Sequence, residues 1–407
     1  MDAEDTRTVG RRLREIRYWR GMSLRAVAEL AGLSESHLSR IERGQRSVDK
    51  RSTLEALAHA LQVAPGELTG QPFRPADPLT AEASRTIAEL QVVLTEPALG
   101  DSWTRRGRPW PELAAERHLL NTVLRPAADY ASQGRVLPGL LADLHAARVH
   151  EPDHRAEVLH ALMDCYHAAE ELTKSLGVPG LPQLAAVHAQ TVAEELDTPA
   201  WLGLAAWLRG MTVGTSSRET MLTVSQWAAA GLQSAAGSPD AAQMYGAVHL
   251  NAALASAALN RPDDTDAHLA EADEIARVVP ADAPRFGQVY FGLDNVGIWR
   301  VSLAVELGVS GGKLAEIARD VDPFAVPSKA RQAMFFGDLG RGLARERSTR
   351  DQAVVALRRA EEIAPQLVRN NFYFRETATD LLRRARRDVV GRELRGMAYR
   401  MGLQRVG

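Results

Sequence analysis

The chain has 407 residues, of which 45% are apolar and 25% charged. This is the composition of an ordinary globular protein with room for two or three domains, needing neither disulfides nor metals as staples. The formal charge of −2, the single cysteine (Cys165) and the lack of any apolar run of about 18 residues exclude an intrachain disulfide and a transmembrane helix. The opening MDAEDTRTVGRRLREIR is charged where a signal peptide has its apolar core, so a cytoplasmic protein is expected, with no membrane partner.

The charge is unevenly spread. Between Arg7 and Arg51 stand 12 basic and 5 acidic side chains, whereas the remainder holds 37 basic and 46 acidic. A basic head on an acidic body points to a polyanionic partner for the head. Only Lys50, Lys174, Lys313 and Lys329 are lysines, and Arg with abundant Ala and Gly points to a GC-rich genome.

Sustained two-residue alternation is missing and apolar residues recur at helical spacing, which predicts an all-α fold. Residues 8–70 read as five short helices. In TVGRRLREIRYWR, Val9, Leu13 and Ile16 share a face and Gly21 ends the helix. Ser23 can cap LRAVAELA, which stops at Gly32, and Ser34 can cap ESHLSRIER, which stops at Gly44. A fourth helix is expected from Ser52, where Glu55 stands at capping-box spacing, and Pro65 suits the first position of a fifth. Pro72, Pro75 and Pro78 then predict a stiff extended linker separating head from body, followed by one amphipathic helix over 79–94 within a linker region 71–111.

From about Glu112 the sequence has a period. Breaks fall near Glu112, Arg155, Pro199, Ala241, Pro284, Ser328 and Asn370, at spacings of 43, 44, 42, 43, 44 and 42 residues. A near-constant period is the signature of a solenoid of helical hairpins, here spanning 112–389. In DQAVVALRRAEEIAP, Ala353, Ala360 and Pro365 resemble the small-residue and proline positions of a degenerate tetratricopeptide repeat. FYFRETATDLLRRARR reads as a capping helix, and 390–407 as a basic C-terminal tail.

The run LREIRYWRGMSLRAVAELAGLSESHLSRIERGQRSVDKRSTLEALAHALQV resembles the Xre-type helix-turn-helix family of repressors. The likeness rests on Gly21, the Ala28…Gly32-Leu33 turn, Leu38, Ile41-Glu42-Arg43-Gly44 and Leu57-Ala58…Ala60-Leu61. A helix projected by a tight turn can enter a major groove. With Leu38 and Ile41 facing inward, Glu35, Ser36, Ser39 and Arg40 are the candidate base readers. Arg11, Ser23, Arg43, Arg46, Lys50 and Arg51 are candidate phosphate contacts. The resemblance implies a structural ion pair between Arg17 and Glu42. It also marks Leu24 as a departure, since the family commonly has a DNA-contacting glutamine there, for which Arg25 is the candidate replacement.

HEPDH at His150–His154 matches the letters of a zinc-protease motif, but Pro152 breaks the helix that would carry both histidines. GVSGGKL at Gly308–Leu314 lacks the glycine and hydroxyl spacing of a phosphate loop. Neither a metal nor a cofactor is expected, nor an enzyme; Cys165 is read as core, and His145, His160 and His167 as surface or packing residues. The body also carries Trp201, Trp207, Tyr245, Asn251, Tyr290, Asn295, Trp299, Arg331 and Phe335 at interior-looking positions. Amides on the concave face of a solenoid can clamp a peptide, which makes Tyr245, Asn251, Asn295, Trp299 and Arg331 the candidate ligand site. Core packing accounts for any one of them equally well.

The architecture is similar to that of Xre-type regulators carrying tetratricopeptide-like repeats, including Gram-positive regulators that answer short signalling peptides. The resemblance implies a homodimer on double-stranded operator DNA, governed by an unknown peptide or small-molecule effector. Two other functions stay open on the sequence: a regulator whose repeats bind a protein partner, and a zinc peptidase fused to a DNA-binding head.

Overall fold

The computed structural model describes residues 9–95, 107–214, 217–280, 283–385 and 389–403. Among them there is no strand. The head consists of α1 (Val9–Trp19), α2 (Leu24–Leu30), α3 (Glu35–Glu42), α4 (Arg51–Leu61) and α5 (Pro65–Thr69). The Ser23 hydroxyl accepts from the Ala26 N–H at 3.1 Å, and the Ser34 hydroxyl from the His37 N–H at 3.2 Å. These caps start α2 and α3 by satisfying donors that a helix terminus leaves open. Gly32 holds the turn between them at φ 62°, where a β-carbon would be strained. Leu13, Val27, Leu38, Ile41, Leu57 and Leu61 fill the centre and are buried.

The box expected at Ser52–Glu55 is not formed. Helix α4 starts one residue earlier, after Lys50, with no side-chain cap from its own neighbours. Its first N–H, on Arg51, instead donates to a carboxylate oxygen of Glu306 at 3.0 Å. Glu55 is drawn off to Arg218, whose Nε lies 2.5 Å away.

The helix expected over 79–94 is two: α6 (Pro78–Arg85) and α7 (Ile87–Thr95), with the break at Thr86. The Thr86 hydroxyl bonds back to the Ala83 carbonyl, and the side chain sits in the notch left by Gly134. The body follows as hairpins: α8 (Trp110–Leu119, prolonged by a π-turn) with α9 (Tyr130–His150), α10 (Arg155–Ser175) with α11 (Leu181–Leu196), and α12 (Pro199–Val213) with α13 (Arg218–Gln233). Next come α14 (Pro239–Ala258) with α15 (Pro262–Val278), α16 (Leu293–Glu306) with α17 (Gly311–Arg319), and α18 (Lys329–Ala344) with α19 (Arg350–Ile363). The end is α20 (Pro365–Asn370), α21 (Phe372–Arg384) and α22 (Val389–Arg400).

Helices α10, α12, α14, α16 and α18 pack on one another in series as an inner layer, with their partners outside. Small residues make this possible. Most of α14 is buried, and its face is largely alanine and glycine. The solenoid also closes on itself. The Lys329 N–H donates to the Pro126 carbonyl at 2.8 Å, and the Gln366 amide oxygen accepts from the Tyr130 N–H at 2.7 Å.

The sequence period meets the inner helices closely except at one point. The unit expected to start at Pro284 starts instead at Leu293. Pro284 and Gly287 keep residues 283–292 from forming more than one tight turn, and Gly287, Val289 and Phe291 are buried against the solenoid. Two further expectations are corrected. The stretch expected as a basic C-terminal tail instead carries α22 up to Arg400, with Leu394, Met397 and Ala398 buried. Helix α21, onto which α22 packs, is therefore not the terminal cap. Nor does the proline-rich linker hold head and body apart. Phe73 and Tyr373 pack beside the head's core, and Phe372 of α21 is a buried member of it. The Gln71 amide donates to the Asn370 carbonyl at 3.0 Å.

Candidate nucleic-acid interface and the body that carries it

Helix α3 is built to present a face. Leu38 and Ile41 anchor it, while Glu35, Ser36 and Arg40 are exposed and Ser39 is half-buried. Arg40 folds along the helix, its Nε 3.2 Å from the Ser36 carbonyl and an Nη 3.3 Å from the Ser36 hydroxyl. Arg43 reaches the Ser39 carbonyl in the same way at 3.3 Å. The turn that follows doubles back, with the Gln45 N–H donating to the Arg40 carbonyl at 2.7 Å, so Arg46 is exposed beside the same face. The imidazole of His37 reports this local field. Burial lowers its pKa first, and the positive charges of Arg46 and Arg40 lower it further.

Two features stiffen the face from behind. Arg17 of α1 and Glu42 of α3 form a two-point pair at 2.6 and 2.8 Å, with side chains 8% and 6% exposed. The third nitrogen of Arg17 donates to the Met22 carbonyl at 3.1 Å, tying in the turn before α2. At Gly10, α1 and α3 touch so closely that a β-carbon would collide with the Ile41 carbonyl oxygen.

The candidate phosphate contacts divide into two sets. Arg11, Ser23, Arg25, Arg43 and Arg46 are exposed, with Arg11 paired to Glu15 at 3.1 Å. Leu24 packs against the head's core. Lys50 and Arg51, by contrast, are turned toward the body. Lys50 lies against Gly308, in the turn between α16 and α17. Arg51 is paired with Glu306 and lies 4.9 Å over the Tyr373 ring. Sequence reasoning missed this docking surface, because its acidic half comes from α16 and α21, more than 250 residues away.

The candidate ligand residues do not line one open groove. Tyr245 is buried and bonds Glu271 of α15 at 2.8 Å. Asn251 is buried, and its amide donates to the Trp207 carbonyl at 3.1 Å. Asn295, Trp299 and Arg331 do come together. The Arg331 Nε donates to the Asn295 amide oxygen at 2.9 Å, and its guanidinium lies 4.7 Å over the Trp299 ring. Burial brings the Arg331 pKa down to about 10. The residues that grip the 284–291 segment, His167 and Gln243, were not singled out as ligand residues. The prolines and glycine within 280–292 were the available signal.

HEPDH spans the end of α9 and a single tight turn, so its histidines share no helix, and His154 stacks on Trp110. No cluster of three metal-ligating side chains occurs among the described residues. Nor is any helix among them long and apolar enough to cross a membrane.

Two short helices joined by a glycine turn, the second exposing polar and basic side chains, define a helix-turn-helix DNA-binding head. Residues 8–70 match a family model described as a helix-turn-helix domain. Comparison with curated proteins and with solved structures finds no match. The chain therefore combines a helix-turn-helix domain, the hallmark of a DNA-binding regulator, with an α-helical solenoid-like body.

Proposed function

We propose that this chain is a sequence-specific transcription regulator of the Xre type. Its tetratricopeptide-like body is the sensor for a peptide or small-molecule effector, and the working form is a cytoplasmic homodimer on double-stranded operator DNA. The observation that carries the proposal is the exposed face of α3, with Arg40, Arg43 and Arg46 open beside the capped turn. Base contacts specify and phosphate contacts position, so α3 and the turn that follows it can supply both kinds side by side.

The sensor role is supported by the way head and body meet. The head is docked through Val48, Asp49, Arg51 and Glu55, and each of these bonds a side chain of the solenoid. A ligand in the body has a rigid path to the head, and it acts by its differential affinity for two head arrangements. The test is selection of bound sequences from a random DNA pool, followed by genome-wide mapping. The full chain should enrich a two-fold symmetric site, and Arg40→Ala should lose that preference. A full chain that enriches no sequence would overturn the proposal.

A further inference from the structure

The interior of the solenoid is occupied by the protein's own chain. Between α15 and α16, residues 284–291 pass from the exposed Pro284 and Arg285 into it, with Gly287, Val289 and Phe291 buried, and are held mainly by their backbone. Gln243 of α14 makes a two-point clamp: its amide donates to the Pro284 carbonyl at 2.9 Å, and its oxygen accepts from the Phe286 N–H at 3.1 Å. His167 of α10 donates from its ring to the Gly287 carbonyl at 2.8 Å. The Asn295 amide donates to the carbonyls of Val289 and Tyr290 at 3.2 and 3.0 Å. Two side chains of the segment fill apolar notches. Phe286 lies 4.5 Å from the Trp201 ring, and Phe291 occupies the space a side chain at Gly246 would need.

A core segment normally meets its backbone bonds through its own secondary structure. Apart from one tight turn at Phe286–Val289, this one borrows them from α10 and α14, 120 and about 40 residues away, and from Asn295 at the start of the helix that follows it. It also pays in conformation, because Gln288 and Tyr290 sit at φ 58° and 52°, in the left-handed region that side chains disfavour. An unattached peptide could offer the same carbonyls and N–H without that strain. The segment runs from Gln243 past His167 to Asn295, and Arg331 stands behind Asn295. There the guanidinium is buried, it makes no ion pair among the described residues, and one Nη finds no acceptor. It is a cation awaiting an anion at the C-terminal end of the path.

We propose that residues 284–291 are a resident plug in a peptide site, and that the effector is an extended peptide whose free C-terminal carboxylate pairs with Arg331. This rests on the body being a sensor, and deepens it by naming the ligand's backbone and terminal group. It accounts for clamps that select backbone carbonyls and an N–H rather than side chains, the mode in which main-chain hydrogen bonds give an extended peptide its affinity.

The experiment replaces residues 283–292 of the full chain with a Gly/Ser stretch of equal length. The probe is the synthetic peptide Pro-Arg-Phe-Gly-Gln-Val-Tyr, the segment's own 284–290 sequence, in free-acid and C-terminal amide forms. Binding is read by calorimetry and by tryptophan fluorescence. The replaced chain should bind the acid with micromolar affinity and the amide about tenfold more weakly, as a charge-assisted bond requires. Arg331→Ala in that background should erase the difference, and the intact chain should bind either form far more weakly. A folded replaced chain that binds neither form overturns the proposal, and equal binding of acid and amide overturns the carboxylate assignment. Failure of the replaced chain to fold would make the segment core and also overturn it. In the intact chain, Gln243→Ala should speed amide exchange across 284–291 while the melting temperature holds. A fall in melting temperature without local exchange counts against the plug. Peptide binding that leaves DNA affinity unchanged would instead sink the sensor role and leave the site standing.

Discussion

Arg51 at the start of α4 and Glu306 at the end of α16 meet twice. The Glu306 carboxylate accepts the Arg51 main-chain N–H at 3.0 Å and also pairs with its guanidinium. Arg341 joins from α18 at 2.7 Å and reaches on to Asp338 and to the Asp49 carbonyl, each at 2.6 Å. A helix N-terminus with an arginine beside it is what a DNA phosphate seeks. In the docked arrangement a carboxylate of the body holds that place.

Glu306→Ala should therefore do two things. Removing one partner of a buried ionic network costs about 3–5 kcal/mol, so the melting temperature should drop sharply. The freed Arg51 should also add about one phosphate contact, steepening the salt dependence of DNA binding accordingly. Thermal melts and gel shifts across a salt series read both. An unchanged melting temperature would show that the network holds nothing.

The same interface should respond to pH in two opposite senses. Burial alone would raise the Glu306 pKa, but the charges of Arg51 and Arg341 outweigh it and hold the group at about 2. A depressed carboxyl stabilises the fold above its unfolded value near 4.5, and that contribution is lost as pH falls toward 2. Glu376 behaves conversely. Burial pushes it up to about 7, against the Val48 N–H and the charges of Arg383 and Arg375, with Asp380 adding to the rise. Its contribution is complete below about 4.5 and is lost as pH rises through 7. Glu376→Gln should then flatten the fall in melting temperature between pH 5 and pH 8, a range chosen to bracket that titration. If the two chains melt in parallel across that range, Glu376 is not titrating there.

On DNA, the two arginines should separate cleanly. Arg40→Ala should cost about 1–3 kcal/mol on the preferred site and little elsewhere. Arg46→Ala should weaken all sequences alike and lower the salt slope by about one. Binding assays on matched and scrambled duplexes decide it, and an Arg40→Ala chain with intact preference would move the base-reading face elsewhere.

Gly10→Ala tests the support behind that face. The added methyl would press on the Ile41 carbonyl where α1 crosses α3. Overpacking of this kind costs about 1–3 kcal/mol. The head should loosen, visible as faster amide exchange over α1 and α3 and weaker DNA binding, while the solenoid keeps its protection. Loss of protection throughout would mean that head and body unfold as one.

One head on DNA buries only about 600–1,000 Å², and two heads on a symmetric site supply the missing specificity. Light scattering of the full chain at micromolar concentration should give twice the chain mass. A monomer without DNA would remove the dimer from the proposed mechanism.

The helical class, the head and the period of the body were legible in the sequence, because each follows from local chemistry. Ser23 and Ser34 cap, Gly32 turns, Leu38 and Ile41 bury, and every cause lies within one turn of its effect. Repeat spacing is likewise local, since each hairpin needs only its neighbour. Elsewhere the tertiary structure decided. Ser52 and Glu55 had the spacing of a cap, yet Glu306 and Arg218 took those roles from across the chain. Pro284 was placed at a helix start, but the prolines and Gly287 let that stretch enter the solenoid, where His167, Gln243 and Asn295 satisfy its backbone. Lys50 and Arg51 look free to meet DNA until the closed solenoid buries part of Lys50 and sets Glu306 against Arg51. Those pairings are set by distance in space, which no spacing along the chain encodes.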